Sequence, residues 1–169
     1  MIHLYYGDGK GKTTAAMGLA LRMAGRDQNV VIAQFLKGAD SGERLALPRI
    51  PRITLLEVPE QVKFTFALTP EERQEECLRA RALLEEALRL ATGSQCGLLV
   101  LDEVCDAVDT GLLPLSALLE ALDALPCEAV LTGHDPDPLL LERAHYLTRF
   151  EKIRHPFDGG QCARCGIEY

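Results

Sequence analysis

The sequence has only one C-x-x-C pair, Cys162-Ala163-Arg164-Cys165, and no second to match it. Structural zinc takes four ligands, so this pair falls short even with His155 as a third. A metal or redox role and a solvent-side thiol pair both stay open for it. Basic runs are absent as well. Eighteen Lys and Arg are dispersed among 25 Asp and Glu, for a net charge of −7. A nucleic-acid enzyme concentrates basic residues on one face, so a nucleic-acid partner is not expected. No apolar segment approaches the ~20 residues that cross a bilayer, and no charged leader precedes one. Neither a membrane span nor a signal peptide is expected, and a cytoplasmic location follows. Aromatics are scarce, five Phe and four Tyr with no Trp, so two in one short loop stand out. Internal repeats and low-complexity tracts are missing. What remains is 169 residues, 47% apolar and 25% charged, enough for one globular domain with a substantial core. The six cysteines read as free thiols, not a disulfide framework. Cys77, Cys96, Cys105 and Cys127 lie in or beside helix and strand patterns and read as small buried apolar residues.

Against this background one stretch organises the chain: Gly7-Asp8-Gly9-Lys10-Gly11-Lys12-Thr13-Thr14. It follows an apolar run at residues 2–6 and opens an Ala/Leu/Met-rich helix pattern. Strand, glycine loop and helix start are the setting of a phosphate-binding loop. Glycines let backbone N–H groups turn toward an anion, and the helix start presents its free N–H groups and positive dipole end to the same anion. Lys12 adds a mobile charge, and Thr13 sits where such loops hold Mg²⁺. The usual spacing is G-x-x-x-x-G-K-[ST]. Here five positions before Gly11 stands Tyr6, so the loop is one residue short and carries an extra glycine, Gly9.

The rest reads as alternating strands and helices. Residues 12 to about 26 form a helix that is apolar on nearly every side, hence mostly buried, with Gly25 as its stop. Residues 30–35 are a continuous apolar run, a buried parallel strand. Residues 37–52 form a long polar loop holding Ser41-Gly42-Glu43-Arg44, placed where open α/β sheets gather ligands. Residues 53–58 read as a third strand. The loop at 59–68 holds Phe64-Thr65-Phe66. Thr69-Pro70-Glu71-Glu72 starts a helix that runs to about residue 92. Residues 97–101 form a strongly apolar strand closed by Asp102-Glu103, which sets a carboxylate near the Mg²⁺ opposite Thr13. A helix at 114–125, a strand at 129–132 ending in Gly133-His134, a helix at 138–144 and a strand at 146–150 complete the alternation. His134 follows a strand end and is either a phosphate or substrate contact or a surface histidine. Residues 154–169 are a turn-rich tail. The fold class is α/β: a P-loop NTPase-like (RecA-like), mostly parallel sheet with helices on both faces.

Several motifs occur together in order: the loop at 7–14 followed by Ala15-Ala16, then Gln34-Phe35-Leu36-Lys37-Gly38, Gly42-Glu43-Arg44, Phe64-Thr65-Phe66, Leu101-Asp102-Glu103, Thr132-Gly133, His155-Pro156-Phe157-Asp158 and Gly166-Ile167-Glu168-Tyr169. This series resembles the P-loop cob(I)alamin (corrinoid) adenosyltransferases over essentially the whole chain. The resemblance implies transfer of the 5′-deoxyadenosyl group of ATP to the Co(I) of a reduced corrinoid, with release of triphosphate, in adenosylcobalamin biosynthesis or salvage. It makes Gly7, Asp8, Gly9, Lys10, Gly11, Lys12, Thr13 and Thr14 the ATP loop. Lys12, Thr13 and Glu103 become catalytic. Thr13 and Glu103, with Asp102, become the Mg²⁺ or Mn²⁺ site. Phe64, Phe66, Glu43 and His134 fall on the corrinoid side. It also implies a homodimer and an electron-donating flavoprotein such as flavodoxin.

The chain departs from the family pattern in several places. His134 stands where Arg is common, a titratable group for a permanent charge. Phe66 replaces a frequent Trp. The tail carries the C-x-x-C pair. Some members cover the site with a segment ahead of the first strand, and here the cover is expected from elsewhere. Two rival readings are a nucleoside kinase of the thymidine-kinase type, whose zinc lobe the tail pair suggests, and a non-catalytic ATP-switch module.

Overall fold

The computed structural model describes residues 1–93 and 95–168. The strands are β1 (Ile2–Tyr6), β2 (Asn29–Gln34), β3 (Ile53–Leu55), β4 (Cys96–Asp102), β5 (Glu128–Gly133) and β6 (Tyr146–Arg149). The helices are α1 (Lys12–Ala24), α2 (Gly42–Ala46), α3 (Pro70–Gly93), α4 (Val104–Asp109), α5 (Leu115–Ala124) and α6 (Pro138–Arg143). The strands form one sheet in the order β3-β2-β4-β5-β1-β6. Every ladder is parallel. The C-terminal ends of β1, β2, β4 and β5 therefore share one edge, where ligands of such sheets collect.

Strand pleating divides the apolar residues between two cores. Val30, Ile32, Leu98, Val100 and Val130 pack with Ala16, Met17 and Ala20 of α1 and with Leu47. Their neighbours Val31, Ala33, Leu99, Leu101, Ala129 and Leu131 pack with α3, α4, α5 and α6 on the other face. Both faces are covered, so β2, β4 and β5 read as unbroken apolar runs. Each fully buried Leu in these strands contributes about 1.5–3 kcal/mol.

Helix α3 starts on a complete capping box. The Glu72 N–H donates to Thr69 Oγ1 at 3.2 Å, and the Thr69 N–H donates to Glu72 Oε2 at 3.0 Å. Helix α6 is capped by Asp137, whose Oδ1 accepts the Leu139 N–H at 2.9 Å.

Four expectations change. Helix α1 is buried on one side only; Leu21 is 53% exposed, because only α1's sheet-facing side meets the strands. The helix does stop at Gly25, which caps it in a right-handed conformation, while Asp27 takes the positive φ of 58°. β3 ends at Leu55, where the chain leaves the sheet edge. Helix α4, unforeseen, forms because Glu103 turns the chain with φ 59° and buries Val104, Cys105 and Ala107. Among the four mid-chain cysteines only Cys105 is fully buried; all six are free thiols.

Candidate active site

The glycine loop connects β1 to α1 and is tied to the neighbouring strands. The Gly7 N–H donates to His134 O at 3.0 Å, and the Gly9 N–H donates to Phe150 O at 2.8 Å. The Lys152 N–H donates to Asp8 Oδ1 at 3.1 Å. Glycine is required at two of these positions. Gly7 has φ +107°, and a Cβ there would stand 2.4 Å from Phe150 O. At Gly9 a Cβ would stand 2.7 Å from the Phe150 carbonyl carbon. The loop thus runs against the end of β6 with no room for side chains. Lys12 is buried, and its ammonium donates to Gly7 O at 2.6 Å and Gly9 O at 3.0 Å. This places the charge inside the loop.

Asp102, fully buried at the end of β4, is the centre of a polar network. Its Oδ1 accepts from Thr13 Oγ1 at 3.0 Å and Thr132 Oγ1 at 2.7 Å. Its Oδ2 accepts from Gln34 Nε2 at 3.0 Å, with Lys37 Nζ at 3.6 Å. A buried carboxylate needs such partners. The result fixes the Thr13 hydroxyl: its proton points to Asp102, and its lone pairs are free for a cation. Asp102 therefore orients the site from behind, and Glu103 faces the cleft.

The Glu103 N–H donates to Thr132 Oγ1 at 2.8 Å. Burial, and then the charges of Asp102 and Asp106, push the Glu103 carboxyl up to about 8. Asp106 in turn accepts from the His134 N–H at 3.1 Å and meets His134 Nδ1 at 2.9 Å. Glu103, Asp106 and His134 offer one ligand atom each within 4.8 Å of one another. These donors are mostly hard oxygens of the kind that suits Mg²⁺ or Mn²⁺, and a cation bound there would offset the crowded negative charge.

A cleft of about 720 Å³ opens over this floor. Loop residues 8–14, Lys37, Glu43, Glu103 and His134 line it, together with His155, Gly166, Ile167 and Glu168 of the tail. The tail folds back onto the loop: Lys10 Nζ donates to Ile167 O at 2.6 Å and to Glu168 Oε1 at 3.4 Å. Arg164 bonds the same carboxylate through its N–H at 2.8 Å and Nη2 at 3.2 Å, holding Glu168 down to about 2. The tail is thus a wall of the cleft. Tyr169, quoted among the closing motifs, lies outside the described residues.

Glu43, on α2, accepts from Lys37 Nζ at 2.7 Å. Burial is the largest single influence and works against its charge, but the hydrogen bond and charge of Lys37, a backbone hydrogen bond and Gln34 together outweigh it, so its carboxyl lies below the usual range. Arg44 donates to Gln34 Oε1 at 2.7 Å and Leu56 O at 2.8 Å, which anchors this loop to the sheet. Phe64 and Phe66 do not reach the cleft. Their rings stack at 5.3 Å and 11°, and they are 75% and 86% exposed. The sequence reading assigned no role to Gln34, Lys37, Asp106 or Thr132. Gln34 and Thr132 carried a signal: each is a polar residue at the C-terminal end of an apolar strand run, on the edge where ligands gather.

A family model described as ATP:corrinoid adenosyltransferase BtuR/CobO/CobP matches residues 1–169. The corrinoid adenosyltransferase of Pseudomonas aeruginosa PAO1 is 32% identical, over 98% of this chain and 82% of its own length. The corrinoid adenosyltransferase of Escherichia coli K12 is 32% identical over all of this chain and 85% of its own. The Salmonella typhimurium LT2 protein called corrinoid adenosyltransferase CobA gives the same values. Among solved structures, a KaiC-like protein from Pyrococcus horikoshii superposes at a TM-score of 0.48 with 16% identity, over 99% of this chain and 66% of that one. Matched along its whole length, the chain belongs to the ATP:corrinoid adenosyltransferase family.

Proposed function

We propose that this protein transfers the 5′-deoxyadenosyl group of ATP to the Co(I) of a reduced corrinoid and releases triphosphate. The observation that carries the reading is the shortened loop itself. It is pinned to the end of β6, holds the Lys12 ammonium inside it, and sets Thr13 on a buried Asp102. An ordinary P-loop exposes the γ-phosphate to attack. Here the attacked atom is the ribose C5′. The Co(I) electron pair forms the Co–C bond, the C5′–O5′ bond breaks, and its electrons leave on the triphosphate. A loop one residue short resets how the triphosphate lies, so that C5′ faces the acceptor.

The chain's own residues bind, orient and stabilise. Loop N–H groups and Lys12 meet the charge on the leaving triphosphate. Thr13 and Glu103 are assigned as the Mg²⁺ or Mn²⁺ ligands, with Asp102 holding Thr13 in place. A bound divalent ion supplies Lewis-acid neutralisation of the triphosphate. Holding C5′ in line with the metal of the corrinoid substrate contributes up to about 7–11 kcal/mol. Glu43 and His134, both on the cleft wall, are assigned to the corrinoid side. The exposed, stacked Phe64 and Phe66 offer an apolar face to the same substrate. Such a face keeps a donor off the lower side of cobalt and eases reduction of Co(II).

The homodimer, the flavodoxin-type electron donor and a cytoplasmic location rest on the family resemblance. No helix among the described residues is long and apolar enough to cross a membrane. The kinase alternative needs a zinc lobe. Cys162 and Cys165 are free and exposed, and among the described residues the one cluster with metal-ligand geometry is Glu103, Asp106 and His134.

The reading is tested anaerobically with MgATP and chemically reduced cob(I)alamin. The products expected are adenosylcobalamin and triphosphate. Formation of ADP, or ATP use indifferent to corrinoid, contradicts it.

A further inference from the structure

At the opposite pole of the sheet, β4 starts irregularly. Asn29 of β2 pairs with Cys96, but Val30 pairs with Leu98, so Gly97 is an extra residue in the strand. In a regular strand residues 96, 98 and 100 point to one face. Leu98 and Val100 do pack toward α1. Cys96 instead packs with Leu99 and Leu101 on the α3 face. The bulge has turned Cys96 over. Only glycine fits there without displacing neighbours, since a Cβ at Gly97 would lie 3.0 Å from Gln28 Cβ and 3.2 Å from Met23 Sδ.

Next to it, Leu98 is in register with Glu128 of β5. Cys127 immediately precedes that residue, and it packs with Ala129 and Leu131 on the same α3 face. The bulge therefore brings two thiols, 31 positions apart in sequence, to one face of adjacent parallel strands. Each thiol is the largest influence on the other's acidity. Continuing that register sets Cys127 beside Gly97, one position from Cys96. A strand spacing of about 4.8 Å and a rise of about 3.3 Å per residue put such a diagonal pair about 6 Å apart, within the roughly 4.4–6.8 Å that a disulfide spans between Cα atoms.

We propose that Cys96 and Cys127 are a hydroperoxide-sensitive pair that closes to a reversible disulfide between β4 and β5. This goes beyond the transferase activity and does not rest on it. Cys96 is the attacking thiolate: the Cys127 hydrogen bond, opposed by burial, brings its thiol down to about 7. Its sulfur takes one oxygen of the peroxide, the O–O bond breaks, and hydroxide leaves and is protonated to water. Cys127 then attacks the Cys96 sulfenic sulfur, the S–O bond breaks, the S–S bond forms, and a second water carries off the Cys127 proton. Two thiols lose two electrons and the peroxide gains them. Both thiols are half-buried, not sealed, and Cys127 borders a surface cavity of about 350 Å³ shared with Met1 and Arg143. Cys105 is a spectator, its thiol pushed up to about 12 by burial and by Asp106 and Glu103.

The test uses the full chain carrying Cys162→Ser and Cys165→Ser, which silences the exposed tail pair. After a few equivalents of hydrogen peroxide at neutral pH, the intact mass should fall by about 2 Da. Cleavage after glutamate separates Cys96, Cys105 and Cys127 onto different peptides, and the Cys96 and Cys127 peptides should be joined until dithiothreitol is added. Adding Cys127→Ser should leave a Cys96 sulfenic acid that dimedone traps. The proposal is overturned if both thiols stay reduced at a peroxide dose that links Cys162 to Cys165 in the unsubstituted chain. It is also overturned if Cys96 is oxidised with Cys127 present and the two peptides remain separate.

Discussion

Lys12, Asp102 and Glu103 are the charged groups around the Thr13 hydroxyl, and each makes a different demand on a variant. Lys12→Ala removes the ammonium that the loop encloses. Loss of one preorganised charge at the leaving group is expected to lower kcat by about 10²–10³-fold, with the fold intact by circular dichroism. Asp102→Asn keeps the shape and removes a charged acceptor from Thr13 and Thr132. As a supporting residue behind Thr13, the proposed metal ligand, it should cost about 10–100-fold in metal affinity. That loss should be visible as a raised Mg²⁺ requirement, and saturating Mg²⁺ should restore most of the rate. An unchanged Mg²⁺ requirement would sink the orienting role.

Glu103 makes a prediction about pH. Its carboxyl ordinarily titrates at 4.5 and in the fold at about 8, through burial and the charges of Asp102 and Asp106. Between those values the folded chain keeps a proton that the unfolded chain releases. The stabilisation is full below about pH 4.5 and is lost as pH rises through about 8. In metal-free protein the thermal midpoint should therefore fall between about pH 6 and 8.5. Glu103→Gln, which mimics the protonated form, should flatten that fall and melt higher than the parent at the alkaline end. Parallel melting curves for the two proteins across this range would refute the assignment.

At the scale of elements, strand endings and helix starts position the chemistry. The apolar runs of β2, β4 and β5 were legible in the sequence because burial on both faces requires unbroken hydrophobic residues. The start of α3 was legible from Thr69-Pro70-Glu71-Glu72, and its capping box formed. Thr69→Ala should cost about 1 kcal/mol and lower the melting midpoint by about 2–4 °C. Helix α4 was not legible: Val104, Cys105 and Ala107 bury only because Glu103 reverses the chain with a positive φ. No local pattern announces such a turn in a non-glycine residue. Nor did composition show that the tail folds back, since its hold on Lys10 joins residues more than 150 positions apart. The loop, Thr13 and the two acids closing β4 were readable from spacing. Gln34 and Thr132 entered the site through sheet register, and Asp106 through the turn at Glu103 that opens α4. The tail contact has its own test. Glu168→Ala releases Lys10 and Arg164 together, so trypsin should cut after Arg164 several-fold faster, with ATP restoring protection only in the parent. Equal cleavage rates would mean the tail is not held by this carboxylate.

Taken whole, the molecule is a parallel sheet whose two poles differ in chemistry. One carries the cleft, with anion-binding N–H groups, a buried cation and a carboxylate cluster. The other carries a bulge that brings two thiols together. In the proposed reaction the shortened loop presents C5′ of ATP, and not its γ-phosphate, to the acceptor. The direct measurement is the phosphate product of a single anaerobic turnover with MgATP and cob(I)alamin. Triphosphate formed in equal amount to light-sensitive adenosylcobalamin, and absent with Lys12→Ala, is the predicted result. ADP with free phosphate or a phosphorylated acceptor would place the attack at the γ-phosphate and contradict the account.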